Sequence, residues 1–289
     1  MRHFAAGLVF MVLAITPAGA QARPDAPIIL ITGSTDGLGR EVARRLAATG
    51  AHIIVHGRNA ERGRALVEEI ERGGKGSARF YAADLASLEQ VRKFAATILE
   101  DYERLDVLIN NAGVLVRGER QVSADGHELH FAVNYLAGFL LTHMLLPRLK
   151  HGGPARIINV ASAAQQPIDF DDVMLERGTS AGRGYGQSKL AQVMFTFDLA
   201  RELAGTNITV NALHPASMMN TRLVTGAGMR PRSTVEEGTE AVVHLATAPN
   251  LGSGQYFSGM QPARAAAQAY DEQARQRLRA LSRQLAGLR

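Results

Sequence analysis

Apolar residues recur along this chain in two alternating rhythms. Short runs from Ile28 to Ile31, His52 to His56, Ala78 to Ala82, Leu105 to Ile109, Arg156 to Val160 and Ile208 to Leu213 read as strands. Between them, apolar residues return every three to four positions. Arg40 to Thr49 does so with Val42, Leu46 and Ala47; the stretch from Asn59 to the Gly73-Gly74 break does so with Leu66, Val67 and Ile70. The same spacing predicts helices from Ser87 to Tyr102, Asp125 to Lys150, Tyr185 to Leu203 and Ser233 to Thr247. Cap signals mark their starts: Asn59, Ser87 with Gln90, Asp125 with Glu128, and Ser233 with Glu236. Gly50 marks a stop, and a short last strand fits Gln255 to Phe257.

Strands separated by helices of this length predict an α/β fold, a Rossmann-type doubly wound parallel sheet of about seven strands with helices on both faces. In such sheets ligands sit at the carboxyl ends of the strands, so the loops after Ile31, His56, Ala82, Ile109, Ala161 and Leu213 should converge on one crevice. One domain is expected over residues 26–262. Residues 263–289 follow as an amphipathic helix packed on or beside it. From Ala265 to Leu288 that tail sets Leu278, Leu281, Leu285 and Leu288 on one side and Arg275, Arg279 and Arg283 on another. It suits the core or a subunit partner better than a membrane surface.

The N-terminus differs in kind. Arg2 and His3 precede an uncharged apolar run from Phe4 to Ile15, then Pro17 and Ala18-Gly19-Ala20, the three-part plan of a secretory signal peptide. Residues 1–22 are therefore expected to lie outside the fold, as an export signal or an uncleaved anchor. Export would place the protein outside the cytoplasm or in the periplasm. A third reading is a misassigned start codon, since no Met lies between Met11 and Met144 and an unconventional start is easily overlooked; the protein would then be cytoplasmic.

Composition narrows the chemistry. A hydrophobic fraction of 46% supports a sizeable core. The formal charge of +5 comes from scattered Arg without a dense basic block, which argues against nucleic acid as a partner. The absence of Cys removes disulfides, zinc-thiolate sites and thiol catalysis. The nine His residues make no metal site: His127 and His130 could share a helix face, but a third ligand is missing.

The chemistry-bearing residues fall at the predicted crevice. After the first strand runs Thr32 to Gly39, TGSTDGLG, a glycine-rich turn opening a helix. Gly33 and Gly37 permit a sharp turn and close approach of a pyrophosphate, and Gly39 permits tight helix–strand packing. First-turn amides there favour an anion. The end of the second strand reads His56-Gly57-Arg58-Asn59, with a base and no acid. An acid would suit the ribose hydroxyls of NAD, whereas Arg58 suits the 2′-phosphate of NADP(H). Further along lie Asp84, Asn110-Asn111-Ala112-Gly113, Ser162, and Tyr185 with Lys189 four residues later on one helical face.

The glycine turn, the Asn-Asn-Ala-Gly run ending a strand, Ser162 at the end of the next strand and YGQSK from Tyr185 to Lys189, four motifs in this order, resemble the short-chain dehydrogenase/reductase family from about Ile28 to Phe257. The passage around Phe170-Asp171-Asp172, the Tyr185 motif and Thr209-Val210-Asn211-Ala212-Leu213-His214-Pro215 look most like its retinol dehydrogenase-like branch. The resemblance implies hydride transfer between a nicotinamide dinucleotide and an alcohol/carbonyl pair. Tyr185 would be the general acid/base, Lys189 would lower its pKa and hold the nicotinamide ribose, Ser162 would orient the substrate oxygen, and Asn134 would relay protons. Gly33, Ser34, Asp36, Gly37, Leu38, Gly39, Arg58, Asp84, Asn110, Ala112, Gly113 and Pro215 would line the cofactor, with Asp84 on the adenine amino group and Asn110 supporting the backbone. The chemistry agrees, because a phenol with a reference pKa of about 10 needs its anion stabilised to work near neutrality. One departure is Ala216, where the family usually has Gly after Pro215.

An apolar aldehyde or ketone is the expected substrate, on the strength of Met218, Met219, Leu223 and Val224 in the loop over the site. A non-catalytic dinucleotide-binding sensor or scaffold is the competing class, and epimerisation on the same fold a third. A homodimer or homotetramer joined through the Asn134 and Tyr185 helices would be usual for the family.

Overall fold

The computed structural model describes residues 25–178 and 181–288, so the signal-like segment lies outside the described residues. Eight strands form one sheet: β1 (Ile28–Ile31), β2 (His52–Gly57), β3 (Ser77–Ala82), β4 (Val107–Asn110), β5 (Ala155–Val160), β6 (Ile208–His214), β7 (Gln255–Ser258) and β8 (Gln261–Pro262). Their order is β3-β2-β1-β4-β5-β6-β7-β8. Neighbours from β3 through β7 pair in parallel, and β8 turns back antiparallel on β7 through Phe257↔Pro262. That two-residue strand is the one element of the sheet the apolar rhythm does not announce, since both of its residues are exposed.

The order in which successive strands are added reverses between the parallel neighbours β1 and β4, where Ile31 pairs with Ile109. This switch point opens a crevice beyond the carboxyl ends of those strands. The helices are α1 (Gly37–Ala47), α2 (Ala60–Arg72), α3 (Leu88–Asp101), α4 (Ala137–Lys150), α5 (Ala181–Glu202), α6 (Arg222–Thr225), α7 (Val235–Thr247) and α8 (Glu272–Leu285). Two cores result. Leu46, Leu66 and Leu245, from α1, α2 and α7, pack on one face of the sheet; Ile98, Phe139, Leu199 and Leu278, from α3, α4, α5 and α8, fill the other.

Local signals explain most boundaries and misplace some. Asn59 and Ser87 cap α2 and α3 through the amides of Arg62 and Gln90. The reciprocal arm expected of Gln90 goes elsewhere, because its Oε1 accepts from Asp84 N at 2.9 Å. Asp125 does not cap the helix that follows it: its carboxylate accepts from Leu88 N at 2.9 Å and serves α3. Glu128 caps that following helix instead, through Phe131 N at 2.8 Å. The capping box of α7 is one residue later than expected, formed by Thr234 and Glu237. The tail is a 3-10 turn (Ala267–Tyr270) and then α8, rather than one helix from Ala265.

Two features could not be read from periodicity. A π-helical turn (Phe131–Leu136) precedes α4 and holds Asn134. In addition, α8 lies across the face where the dimer contact was expected. Tyr135 OH meets Ser282 Oγ at 2.7 Å, and Asp198 on α5 receives Arg275 at 3.1 Å and Arg279 at 3.2 Å. Leu278 between them is 2% exposed. Among the described residues no helix is long and apolar enough to cross a membrane.

Candidate active site

The glycine-rich turn is tied down by groups from the two neighbouring strands, β2 and β4. Gly33 N donates to Nδ1 of His56 at 3.1 Å, and Ser34 N to His56 O at 2.9 Å. Thr32 Oγ1 accepts from the amides of Asn111 and Ala112 at 3.0 Å each. Asn111 Nδ2 donates to Thr32 O at 2.8 Å and Gly33 O at 3.2 Å. Asn111, Thr32 and His56 thus hold the turn, a role that the motifs containing them did not assign. The signal was available for Asn111, which stands inside the Asn-Asn-Ala-Gly run, but its partners lie almost 80 positions away.

Glycine is required here by space as well as by conformation. Gly33 has φ +64° and a Cβ there would lie 2.9 Å from Ala112 Cα; Gly37 has φ +53°. A Cβ on Gly39 would collide with Asn111 Nδ2 and lie 2.6 Å from Gly33 O. Asp36 caps α1 through Gly37 N at 2.8 Å with one oxygen. Its other oxygen holds Arg62 at 3.1 Å and Arg222 of α6 at 3.2 Å. Helix first-turn amides, here those of Leu38 and Gly39, lack intrahelical acceptors, so a phosphate fits this end.

Arg58 is 70% exposed at the mouth of the crevice, 3.9 Å from Asp84 Oδ2. Asp84 makes an ordinary loop turn, accepting from Ala86 N at 3.0 Å. Asn110 is buried and braces the sheet: its Nδ2 donates to Thr142 Oγ1 at 3.0 Å and Asn159 Oδ1 at 2.9 Å. Pro215 is buried after β6. Ala216 costs no backbone strain, because the left-handed residue in that segment is Met218, at φ 50°.

At Gly113 two of the expected catalytic side chains meet, and the other two adjoin them. A Cβ on that glycine would stand 3.4 Å from Asn134 Oδ1 and 3.7 Å from Lys189 Nζ. Lys189 Nζ lies 5.6 Å from the centre of the Tyr185 ring and donates to Val160 O and Gln192 Oε1, each at 2.9 Å. Ser162 follows β5, its Oγ accepting from Ala164 N at 3.1 Å. Asn134 is committed to the loop after β4: Oδ1 accepts from Val114 N at 2.7 Å, and Nδ2 donates to Val114 O at 3.1 Å and Ser188 Oγ at 2.9 Å.

Burial raises the Tyr185 phenol above its ordinary pKa, and a hydrogen bond with Ser162 opposes the rise. Burial drives the Lys189 ammonium itself down to about 7, because both of its acceptors are neutral.

The loop over the site is only partly an apolar lining. Val224 is buried, and Met219 packs toward Gly238 of α7, which leaves Met218 and Leu223 as accessible apolar residues. Among the described residues, no cluster of His, Asp and Glu could hold a metal. His127 and His130 do not act together: His130 is buried against Glu128 and Val116 N.

Known proteins place this arrangement. The family model described as short chain dehydrogenase matches residues 27–231. Human retinol dehydrogenase 13 is 39% identical over 282 residues, covering 90% of this chain and 84% of that protein. The crystal structure of an uncharacterized protein from Mycobacterium paratuberculosis superposes with a TM-score of 0.76 at 31% identity, over 91% of this chain and 96% of that one. A short chain dehydrogenase from Burkholderia cenocepacia J2315 in complex with NADP gives 0.67 at 27% identity, over 80% and 95% of the two chains. With its switch-point crevice, glycine turn and Tyr185–Lys189 helix, this chain belongs to the short-chain dehydrogenase/reductase family of oxidoreductases, in its retinol dehydrogenase-like branch.

Proposed function

We propose that this protein interconverts an apolar alcohol and its aldehyde or ketone, using NADP(H). The observation that carries this reading is the chain of neighbours at the carboxyl edge of the sheet: Asn134 and Lys189 beside Gly113, Tyr185 beside Lys189, and Ser162 beside Tyr185. When bound, the nicotinamide supplies or takes up the hydride.

The chain's own groups do the rest. In reduction, Ser162 donates a hydrogen bond to the carbonyl oxygen and Tyr185 gives its phenolic proton to the developing alkoxide; oxidation reverses the transfer. Lys189, when protonated, favours the phenolate and donates to ribose hydroxyls. Asn134 holds the loop at Val114 and meets Ser188, whose Oγ donates to Tyr185 O at 2.7 Å, so it also fixes the helix carrying the phenol. Arg58 stands free enough to receive a 2′-phosphate, and the NADP in the Burkholderia relative supports that choice. Met218 and Leu223 favour an apolar substrate.

NADPH oxidation by the purified protein across a panel of aldehydes and ketones tests this reading. Turnover should fall at least about 10²-fold in Tyr185→Phe. Tight NADPH binding by both proteins without turnover on any carbonyl would instead favour a sensor or scaffold.

A further inference from the structure

Beneath the first turn of α5 lies a buried acid–imidazole pair that the catalytic set does not include. Glu128 and His130 are each 4% exposed, with His130 Nδ1 and Glu128 Oε1 2.7 Å apart. The other carboxylate oxygen accepts from Phe131 N at 2.8 Å. The far side of the imidazole accepts from Val116 N, with 3.0 Å between Val116 N and Nε2. An acceptor at Nε2 and a carboxylate at Nδ1 select a single neutral tautomer, Nδ1–H toward Glu128.

The pair touches both halves of the crevice. Val116 belongs to the loop after β4 that begins with Asn111-Ala112-Gly113 and passes Asn134. On the other side, the His130 and Tyr185 rings meet edge to face at 86°, with centroids 6.2 Å apart. The residue before Tyr185 is Gly184, and a Cβ there would lie 2.9 Å from Glu128 Oε1 and 3.0 Å from His130 Nδ1. The helix start therefore rests directly on the pair, which needs glycine at that position.

We infer that Glu128 and His130 are positioning residues that clamp the loop after β4 to the start of α5, setting the Tyr185 phenol against Ser162. The inference rests on the oxidoreductase reading for its effect on turnover. Glu128 acts through His130: a Gln there can donate to Nδ1, which moves the imidazole proton to Nε2 and sets it against the Val116 amide.

Two readouts separate the clamp from simple stability. Trypsin cleavage at the exposed Arg117 reports the loop tether without any turnover. The pH dependence of kcat reports the setting of the phenol. His130→Ala should be cut several-fold faster, and its basic-side limb should move up by about one pH unit as the hydrogen bond from Ser162 is lost. Its kcat should fall about tenfold, while KM for NADPH moves less than about threefold. His130→Gln, which carries an acceptor toward Val116 without the ring, should recover trypsin resistance and leave the limb displaced. Glu128→Gln should resemble His130→Ala. Wild-type cleavage together with an unmoved limb in His130→Ala overturns the inference, as does a loss confined to thermal stability. A wild-type chain that turns over no carbonyl refutes the oxidoreductase reading separately, and trypsin with NADPH titration then decides whether the clamp exists.

Discussion

The ammonium of Lys189 lies 5.6 Å from the centre of the Tyr185 ring, and its two hydrogen-bond acceptors, Val160 O and Gln192 Oε1, are both neutral. Burial therefore lowers its pKa to about 7, whereas an unfolded lysine titrates near about 10.4. Between those values the unfolded chain carries a proton that the folded one lacks, so this group makes stability rise with pH across that window. Ribose hydroxyls accepting from Nζ favour the charged form. NADPH binding near pH 8 should accordingly take up a substantial fraction of a proton, seen as a calorimetric heat that changes with the ionisation enthalpy of the buffer. Lys189→Met should abolish that dependence; its persistence would point to another group.

His56 and His52 set the acid limit. Burial lowers both to about 4, and His56 Nδ1 must stay unprotonated to accept from Gly33 N. Their contribution is fully present above the unfolded value of about 6.5 and is lost as pH falls toward 4, where folding no longer excludes the protons. Denaturant titrations from pH 7 to 4 should show falling stability, with unfolding taking up as many as about two protons. A flat profile would contradict this.

Arg58 should select between dinucleotides. Its 70% exposure limits the energy of one ion pair, so Arg58→Ala should weaken NADPH about tenfold and leave NADH within about twofold. Equal weakening of both would show that Arg58 supports the loop rather than the phosphate.

Gly39 should tolerate no side chain. Its Cβ would meet Gly33 O at 2.6 Å, and a main-chain atom cannot step aside as a side chain can. Gly39→Ala should cost about 1 to 3 kcal/mol and weaken NADPH at least about tenfold, measured by melting and by fluorescence titration. Unchanged binding would mean that the turn yields more easily than its bonds to Asn111 suggest.

The tail helix should control association. α8 covers α5 through Asp198, Arg275, Arg279 and the buried Leu278. Leu278→Ala should cost about 2 to 4 kcal/mol. A chain ending before Asp271 exposes the strip around Phe195 and Leu199 and should sediment or scatter as a larger species than the full chain. If both have the same mass, α8 is not what occupies the face.

Much of this was legible because it is local. Val42, Leu46 and Ala47 announce α1, and Asn59 announces the start of α2 by an oxygen three residues from its donor. Tyr185 and Lys189 share a helix face by spacing alone. What stayed hidden depends on distant partners. Asp125 has the pattern of a cap for its own helix but serves Leu88, 37 positions earlier. The bonds of Asn111 and His56 to the glycine turn arise only when β1, β2 and β4 meet, and the contact of the His130 ring with Tyr185 only when α5 packs against the segment before α4. The apolar loop divides in the same way: Met219 and Val224 are packed, as a methionine in a loop often is, and Met218 and Leu223 stay accessible.

Asp36 holds Arg62 from α2 and Arg222 from α6 on one carboxylate oxygen. These two cations are thereby gathered at the head of α1 before any phosphate arrives. Arrival there is then an exchange of anions, in which a ligand competes with an internal tenant for arginines already in place. Such an exchange sets free no new protein charge and orders few side chains. The entropy of assembling the cationic pocket is spent when the chain folds, and occupancy should respond to salt less steeply than in a pocket of unpartnered arginines.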